Sequence, residues 1–210
     1  GLGFGEGDAA VIGPLLEVTA REPNIHLVAK DQDTVGRYAS SFAPGVRRDG
    51  TTRGGPAAQN SKIEINAHQS TGYRARTEFN ANSADMTVAV AKNFATAGER
   101  LTHSVAGDRY MKVEFGDARA DGRALAREMP RRGATSLNVA GNGIYTLAQH
   151  GMDQAQVNQH IYDMLSEAHR LRPITKIVSG GQSGAGIAGA VAARALGIPA
   201  TITLPKGFVQ

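Results

Sequence analysis

The sequence contains no cysteine and no tryptophan, and aromatic residues make up only 5% of its 210 positions. The absence of cysteine excludes disulfide bonds, a thiol nucleophile and a cysteine-ligated metal site. The shortage of aromatic rings counts against a nucleic-acid surface built on base stacking, so we expect no nucleic-acid partner. No apolar run is long enough to span a bilayer and no signal peptide is visible, so we predict a cytoplasmic protein without membrane contact.

The remaining composition is that of an ordinary globular domain. Hydrophobic residues make up 41% of the chain and charged residues 20%, which is enough apolar material to bury a core. The formal net charge of +4 suits an anionic small ligand as well as it suits nucleic acid. The chain begins at Gly1 without methionine and ends shortly after Phe208, so we expect it to be a piece of a longer protein.

The most informative stretch runs over residues 176–208. Its first residues, 176–179, have the apolar, β-branched character of a buried parallel strand. A glycine-rich turn follows, and residues 187–196 are alanine-rich and predicted to be helical. Gly197 is expected to cap that helix, and residues 200–204 form a second short apolar strand.

The glycine-rich turn predicts an anion site. Glycines at a strand-to-helix turn let the backbone approach a ligand, and the first helical N–H groups have no intrahelical acceptor. The helix dipole adds to this, so phosphate or carboxylate is the expected occupant. The alternative is that the glycines serve only close packing of the helix on the sheet. The candidate ligand-binding residues of the two turns are Gly180, Gly181, Gln182, Ser183, Gly184, Gly186, Lys206 and Gly207.

The chain is predicted to have two parts, an N-terminal strand–helix extension at residues 1–56 and the main domain at residues 57–210, for which the resemblance described below implies nucleotide binding. The extension opens with a GxGxG pattern in residues 1–7, followed by a helical pattern, a strand at residues 25–30 and then Asp31. This is a weak Rossmann-type fingerprint, because the strand that should precede the glycines is missing. Two interpretations of residues 1–7 follow: they form a second ligand-binding turn, or they are a flexible start of the chain.

Strand and helix patterns alternate almost strictly from Asp85 onwards. Such alternation predicts a mainly parallel sheet in a Rossmann-like three-layer α/β sandwich. The longest helical pattern has apolar residues at three- and four-residue spacings, with Asp153 as its expected N-cap. Strands are predicted at residues 62–66, 85–90, 110–115 and 136–139, and helices at residues 97–105, 120–129 and 154–171.

Several motifs together resemble one family. They are YRARTEFN at residues 73–80, TAGERLT at residues 96–102, LNVAG at residues 137–141, SGGQSGAG at residues 179–186 and LPKG at residues 204–207. These blocks are similar to the YpsA-like, molybdenum-cofactor-carrier-like branch of the SLOG superfamily, whose Rossmann-like nucleotide-binding folds include the LONELY GUY and DprA families. The family's second half precedes its first half here, so the resemblance implies a circularly permuted domain.

The resemblance extends over residues 70–208 and implies a sensor or carrier of a nucleotide or a molybdopterin-type ligand. Relatives commonly form homodimers. In the YRARTEFN block, the resemblance implies that Arg76 forms a bidentate hydrogen-bonded contact with a phosphate or carboxylate. It also implies that Glu78 accepts a hydrogen bond from a ribose or base. Thr77 belongs to the same block, and Asn80 would orient the loop or the ligand. If the segment is extended, Arg76 and Glu78 face the same way and form a plain structural ion pair instead.

The departures from the family pattern bear on catalysis. Gly186 stands where the family has an aspartate and Ile187 where it has an arginine, so binding fits better than turnover. Glu99 stands in place of a threonine at the start of a helix. It is either a surface acid that matches the helix dipole or, with Glu78, a catalytic acid of a nucleotide N-glycosidase or phosphoribohydrolase. A DprA-like nucleic-acid-handling module is a third hypothesis.

Three further features are expected to be structural. The six histidines show no spacing typical of a metal site, so no metal is predicted. Asn142 and Gly143 are predicted to form a turn that lies at the ligand-binding edge of the sheet. Arg131 and Arg132 are expected to be solvated surface side chains.

Overall fold

The computed structural model describes residues 27–29, 63–70 and 72–204. Within these residues, one sheet of seven strands has the order β1-β2-β7-β6-β5-β3-β4. Every pairing between neighbouring strands is parallel, which confirms the predicted α/β architecture. The strands are β1 (Leu27–Ala29), β2 (Ile63–Ala67), β3 (Met86–Ala91), β4 (Tyr110–Glu114), β5 (Ser136–Gly141), β6 (Lys176–Ser179) and β7 (Ala200–Leu204).

The helices lie on both faces of this sheet. Connections between parallel strands are right-handed, so the direction of travel across the sheet fixes the face on which each helix lies. The chain moves one way from β2 through β3 to β4, and the opposite way from β4 through β5 and β6 to β7. The helices are α1 (Tyr73–Asn82), α2 (Ala97–Ala106), α3 (Ala118–Arg131), α4 (Ile144–Gln149), α5 (Gln154–Leu171) and α6 (Ala185–Leu196).

The packing of the helices agrees with this rule. Helices α3, α5 and α6 pack side by side on one face, and α1 packs against α2 on the other. The result is the predicted Rossmann-like three-layer sandwich. Gly122 lets α3 approach α5 closely, because a Cβ there would lie 2.5 Å from the carbonyl oxygen of Met164 and 2.8 Å from Cβ of Glu167. Gly189 lets α6 approach strand β5 closely, because a Cβ at Gly189 would lie 2.6 Å from Cβ of Val139.

Local sequence signals explain the best-predicted elements. Every residue of β3 is buried, as expected for an apolar run between two neighbouring strands. Helix α5 begins and ends where its pattern predicts, and Asp153 accepts a hydrogen bond from the amide of Gln156 in a capping box. Its buried face turns toward the core and consists of Val157, Ile161, Met164, Leu165 and Ala168.

Other elements differ from the prediction. Residues 73–82 form helix α1 and not an extended segment, so Arg76 and Glu78 point in different directions. Helix α4 follows β5 and was not predicted. Helix α3 continues through Pro130 to Arg131, because a proline in the last turn removes one hydrogen bond without blocking the rest of the helix. The remaining boundaries differ by one or two residues.

Part of the sequence-based prediction falls outside the described residues. These parts are the GxGxG pattern, Asp31, Lys206 and Gly207. Strand β1 belongs to the predicted extension, and it pairs with β2 at the edge of the same sheet. None of the helices in residues 72–204 combines the length and the apolar character needed to cross a membrane.

Candidate functional site

A pocket opens at the carboxyl ends of β5 and β6, on the face of the sheet covered by α1 and α2. After β5 the chain continues on one face of the sheet, and after the neighbouring β3 it continues on the other face. The two connections diverge and leave a crevice between the strand ends, where open α/β sheets bind ligands. Asn138 lines the pocket. The next residue, Val139, points its side chain toward α6 on the opposite face of the sheet, because successive side chains of a strand alternate between the two faces. The lining residues are Tyr73, Arg76, Thr77, Asn80, Thr102, Asn138, Val139, Ala140, Gly141, Gly180, Gln182 and Gly186.

The glycine-rich turn that borders the pocket is fixed by Ser179. The Ser179 hydroxyl accepts a hydrogen bond from the amide of Gly181 at 3.2 Å and donates one to the carbonyl oxygen of Gly186. Gly181 has a φ of 67°, in the left-handed region that favours glycine. Ser179 therefore connects the start of the turn to the first turn of α6.

Three amides at the start of α6 already have acceptors in the protein. The amide of Gly184 donates to Oε1 of Gln154 at 2.7 Å, and that of Ala185 donates to the carbonyl oxygen of Asn142 at 3.1 Å. The amide of Ile187 donates to the carbonyl oxygen of Gln182 at 2.9 Å. An anion therefore cannot take these amides without breaking an existing hydrogen bond. The available binding surface is the pocket beside the turn.

Part of the turn has a packing role. Gly184 has a φ of 105°, and a Cβ there would lie 2.4 Å from the carbonyl oxygen of Asn142. Ser183 is buried, and its carbonyl oxygen accepts a hydrogen bond from the amide of Ile144 at 3.0 Å. These contacts hold the turn against the loop that follows β5. Close packing therefore explains the glycine at position 184.

Arg76 contributes the charge of the pocket. Its side chain is 4% exposed, and its Nη1 lies 3.5 Å from the carbonyl oxygen of Gly180. Its guanidinium carbon lies 4.9 Å from the centroid of the Tyr73 ring. Among the described residues that line the pocket, Arg76 is the one charged side chain. The described lining of the pocket therefore carries one cationic group.

Polar side chains surround Arg76. Asn80 is 4% exposed, and its Oδ1 is buried without a hydrogen-bond partner among the described residues. A Cβ at Gly180 would lie 3.3 Å from Nδ2 of Asn80, so a side chain at this position would crowd the amide. Thr102 donates to the carbonyl oxygen of Gly98, and Asn138 donates to the hydroxyl of Thr87. The pocket is thus lined by neutral polar groups around one cation.

Glu99 is buried beside this pocket at the start of α2. It is 3% exposed, so its interpretation as a surface acid is wrong. Burial raises the pKa of the Glu99 carboxyl to about 7, and a 3.4 Å hydrogen bond from the Tyr110 hydroxyl opposes the rise. The Glu99 amide donates to the Thr96 hydroxyl, which caps the helix. A buried carboxyl with a pKa near neutrality is a common feature of functional sites.

Tyr73 connects the turn with both charged residues. Its hydroxyl donates to Oε1 of Gln182 at 3.2 Å. Burial raises the pKa of the Tyr73 hydroxyl, the nearby Arg76 lowers it, and the charge of Glu99 raises it. The ring is 44% exposed at the mouth of the pocket. Tyr73 is therefore the solvent-exposed aromatic side chain of the described pocket lining.

The predicted site residues separate into groups. Arg76, Thr77, Asn80, Gly180, Gln182 and Gly186 line the pocket together, whereas Gly181, Ser183 and Gly184 shape the turn behind it. Glu78 lies on another side of α1, where its Oε1 pairs with Nε of Arg74 at 2.8 Å and its side chain is 43% exposed.

The sequence did not single out Tyr73, Thr102, Asn138 or Ser179 as site residues. A polar residue inside the buried strand LNVAG was the available signal for Asn138, since buried amides need a partner. Asn142 is not a simple turn residue, because its Oδ1 accepts hydrogen bonds from the amides of Lys92 and Asn93. It ties the loop after β5 to the loop after β3.

The described residues contain no group of three or more His, Asp or Glu side chains placed to hold a metal ion. The site is therefore a small pocket with one cationic side chain in its described lining and a buried glutamate next to it. Comparisons of the chain with protein-family models, with curated protein sequences and with solved structures found no match, so its own residues must carry the functional argument.

Proposed function

We propose that this pocket binds the phosphate of a nucleotide or a nucleotide-derived molecule, such as a molybdopterin-type ligand, in a sensor or carrier protein. The observation that carries the proposal is the charge of the lining, in which Arg76 is the one charged side chain among the described residues. A guanidinium is planar and forms paired hydrogen bonds to phosphate or carboxylate. The position at the carboxyl ends of the strands supports a ligand site.

The neutral donors around Arg76 would complete the recognition. Asn80 offers its amide group, and Gln182 offers a second amide at the edge of the turn. The space open to a water-sized sphere is about 50 Å³. A single water needs roughly 10–15 Å³ by this measure, so the pocket suits a phosphate group and not a whole nucleotide. The rest of the ligand would then extend past Tyr73, whose ring can stack on a base.

We also propose that the chain is a circularly permuted SLOG-type domain. One half of the sheet order supports this proposal, because β6, β7 and β2 are successive neighbours; in the other half, β5 lies between β6 and β3. If the extension is left out and the chain is taken to start at β6, then β6, β7 and β2 become the first, second and third strands. Their order in the sheet is then 3-2-1, as in a Rossmann-like fold. Lys206, which follows β7 in sequence, is the proposed second cation of the site. Gly186 in place of the family's aspartate favours binding over turnover.

A thermal-shift screen tests the proposed binding. The panel contains mono-, di- and cyclic nucleotides, NAD, ADP-ribose and molybdopterin-type compounds, each with wild type, Arg76→Ala, Asn80→Ala and Lys206→Ala. A ligand at about a hundred times its dissociation constant adds roughly 2.7 kcal/mol, or about 5–10 °C for a protein of this size. We expect a shift in wild type that is smaller or absent in the variants. A flat response to the whole panel would reject the proposal.

A second candidate function is N-glycosidic cleavage of a nucleotide. The observation that favours it is the raised pKa of Glu99, about 7, next to the pocket. Such a carboxyl can donate a proton to a leaving base near neutral pH, while a water molecule from solvent adds its hydroxyl to C1′ of the ribose and restores the proton to the carboxylate. Base release from nucleoside monophosphates, measured by chromatography, should then be lost in Glu99→Gln. It should persist in Glu78→Gln, because Glu78 is paired with Arg74 outside the pocket. If wild type releases no base, the glycosidase function is rejected and ligand binding is the remaining proposal.

A further inference from the structure

A row of arginines runs along α3 on the face of the sheet opposite the pocket. Residues four apart lie on one side of a helix, about 6 Å apart along its axis. All members of the row are exposed, so their charges face solvent. The members are Arg119, Arg123, Arg127 and Arg131.

The row borders a groove between α3 and the end of α5. Its floor is apolar and consists of Ala126, Pro130 and Leu171, and Leu171 is 42% exposed. Arg172 also lines the groove. The groove is open and has a volume of about 670 Å³, which is far too large for a single anion.

Nearby acids balance part of the charge of this surface. Glu128 pairs with Arg131 at 3.3 Å and with Arg132 at 3.2 Å. Glu167 pairs with Arg170 at 2.7 Å. Arg119 and Arg123 also help to lower the pKa of Asp117 and of Glu167, so these two acids balance part of the charge of the row. No carboxylate is among the described residues that line the groove, so the lining itself is cationic.

We propose that this groove docks an acidic, amphipathic segment of a partner protein. Carboxylates of the segment would pair with the arginine row, and its apolar side chains would cover the floor around Leu171. Interfaces commonly combine an apolar centre with arginine at its edge. The charge of the groove requires an anionic occupant, and its apolar floor favours a peptide over a phosphodiester chain. No aromatic side chain is among the described lining residues, which disfavours stacking of single-stranded bases.

Fluorescence anisotropy with labelled probes tests the proposal. The main probe is a short peptide in which Glu and Leu alternate. The comparison probes are an oligoglutamate and a single-stranded oligodeoxynucleotide of equal charge. We expect the alternating peptide to bind most tightly. The double variant Arg123→Glu/Arg127→Glu should weaken its binding about tenfold or more, because repulsion replaces attraction across the interface.

Two further variants make the experiment specific. Arg100→Glu/Lys112→Glu changes the net charge by the same amount outside the groove, where Lys112 is 54% exposed, and should leave binding nearly unchanged. Leu171→Ser should lower the affinity for the alternating peptide about three- to tenfold and leave the affinity for the oligoglutamate unchanged, because the substitution removes only an apolar contact. Circular dichroism verifies that each variant is folded.

Either of two results would overturn the proposal. If the oligonucleotide or the oligoglutamate binds as tightly as the alternating peptide, the surface recognises charge alone. If both charge-reversal variants weaken the peptide equally, the groove is not where it binds. The groove and the pocket lie on opposite faces of the sheet, so Arg123→Glu/Arg127→Glu and Leu171→Ser should not change ligand binding at the proposed phosphate site.

Discussion

Replacing Glu99 with glutamine should change how the stability of the protein depends on pH. In the folded state the pKa of Glu99 is raised from 4.5 to about 7, chiefly by burial. Below pH 4.5 the carboxyl is protonated in both states and adds no pH dependence. Between pH 4.5 and 7 the unfolded chain has lost this proton while the folded protein keeps it, so stability falls as the pH rises. Above about pH 7 the loss is complete.

The size of this loss follows from the pKa difference. One pKa unit corresponds to about 1.4 kcal/mol, so the shift from 4.5 to 7 corresponds to about 3 kcal/mol. Glutamine keeps the shape of the side chain and cannot ionise. The free energy of unfolding of Glu99→Gln, minus that of wild type, should therefore increase by about 3 kcal/mol between pH 4.5 and pH 8.

Urea denaturation at a series of pH values measures this difference. Other titrating groups act equally in both proteins and cancel in the subtraction. Glu114→Gln is the matched control, because the Glu114 side chain is 75% exposed and its variant should follow the wild-type curve. A Glu99→Gln curve that runs parallel to wild type over this range would show that the carboxyl is not held protonated by burial.

Three other substitutions test the packing that positions the site. Gly122→Ala should destabilise the protein by more than about 1 kcal/mol in urea denaturation despite the better helix propensity of alanine, because its Cβ would meet the backbone of α5. Ser179→Ala should cost about 1–3 kcal/mol, since it leaves the Gly181 amide and the Gly186 carbonyl without their partner. Asp153→Ala should cost about 1 kcal/mol in thermal unfolding, because it removes the cap of α5.

Each of these substitutions has a control in the same chain. Gly186→Ala should be neutral or stabilising, because its Cβ would make only an ordinary contact, 3.5 Å from the Ser179 hydroxyl. Ser104→Ala changes an exposed serine of α2, and Asp163→Ala changes an aspartate inside α5. Equal effects in a test variant and its control would contradict the structural explanation for that pair.

The layered fold was predictable because its signals are local. Strand β6, strand β7 and helix α5 begin and end where their apolar patterns predict. Residues 73–82 were harder to assign, because YRARTEFN contains few apolar residues and its buried positions are polar ones such as Arg76 and Asn80. Burial of polar residues depends on the partners that the fold supplies, and a single sequence does not reveal them.

The position of the pocket illustrates the same limit. The glycine-rich turn drew attention to the carboxyl end of β6, since glycine clusters mark close backbone approach, and the pocket lies beside this turn. The sequence could not show that Gln154 and Asn142, distant along the chain, accept hydrogen bonds from the first amides of α6. Nor could it show that Glu99 is buried, because an acid at the start of a helix is ordinarily a surface residue.

Recognition of phosphate by Arg76 is the central claim, and paired calorimetric titrations test it most directly. Wild type and Arg76→Gln are titrated with nucleoside monophosphates and with the matching nucleosides, after thermal unfolding has verified that the variant is folded. We predict that wild type binds at least one monophosphate about tenfold or more tightly than its nucleoside and that Arg76→Gln loses this preference. Equal affinity of wild type for every such pair, or an unchanged preference in Arg76→Gln, would contradict the claim.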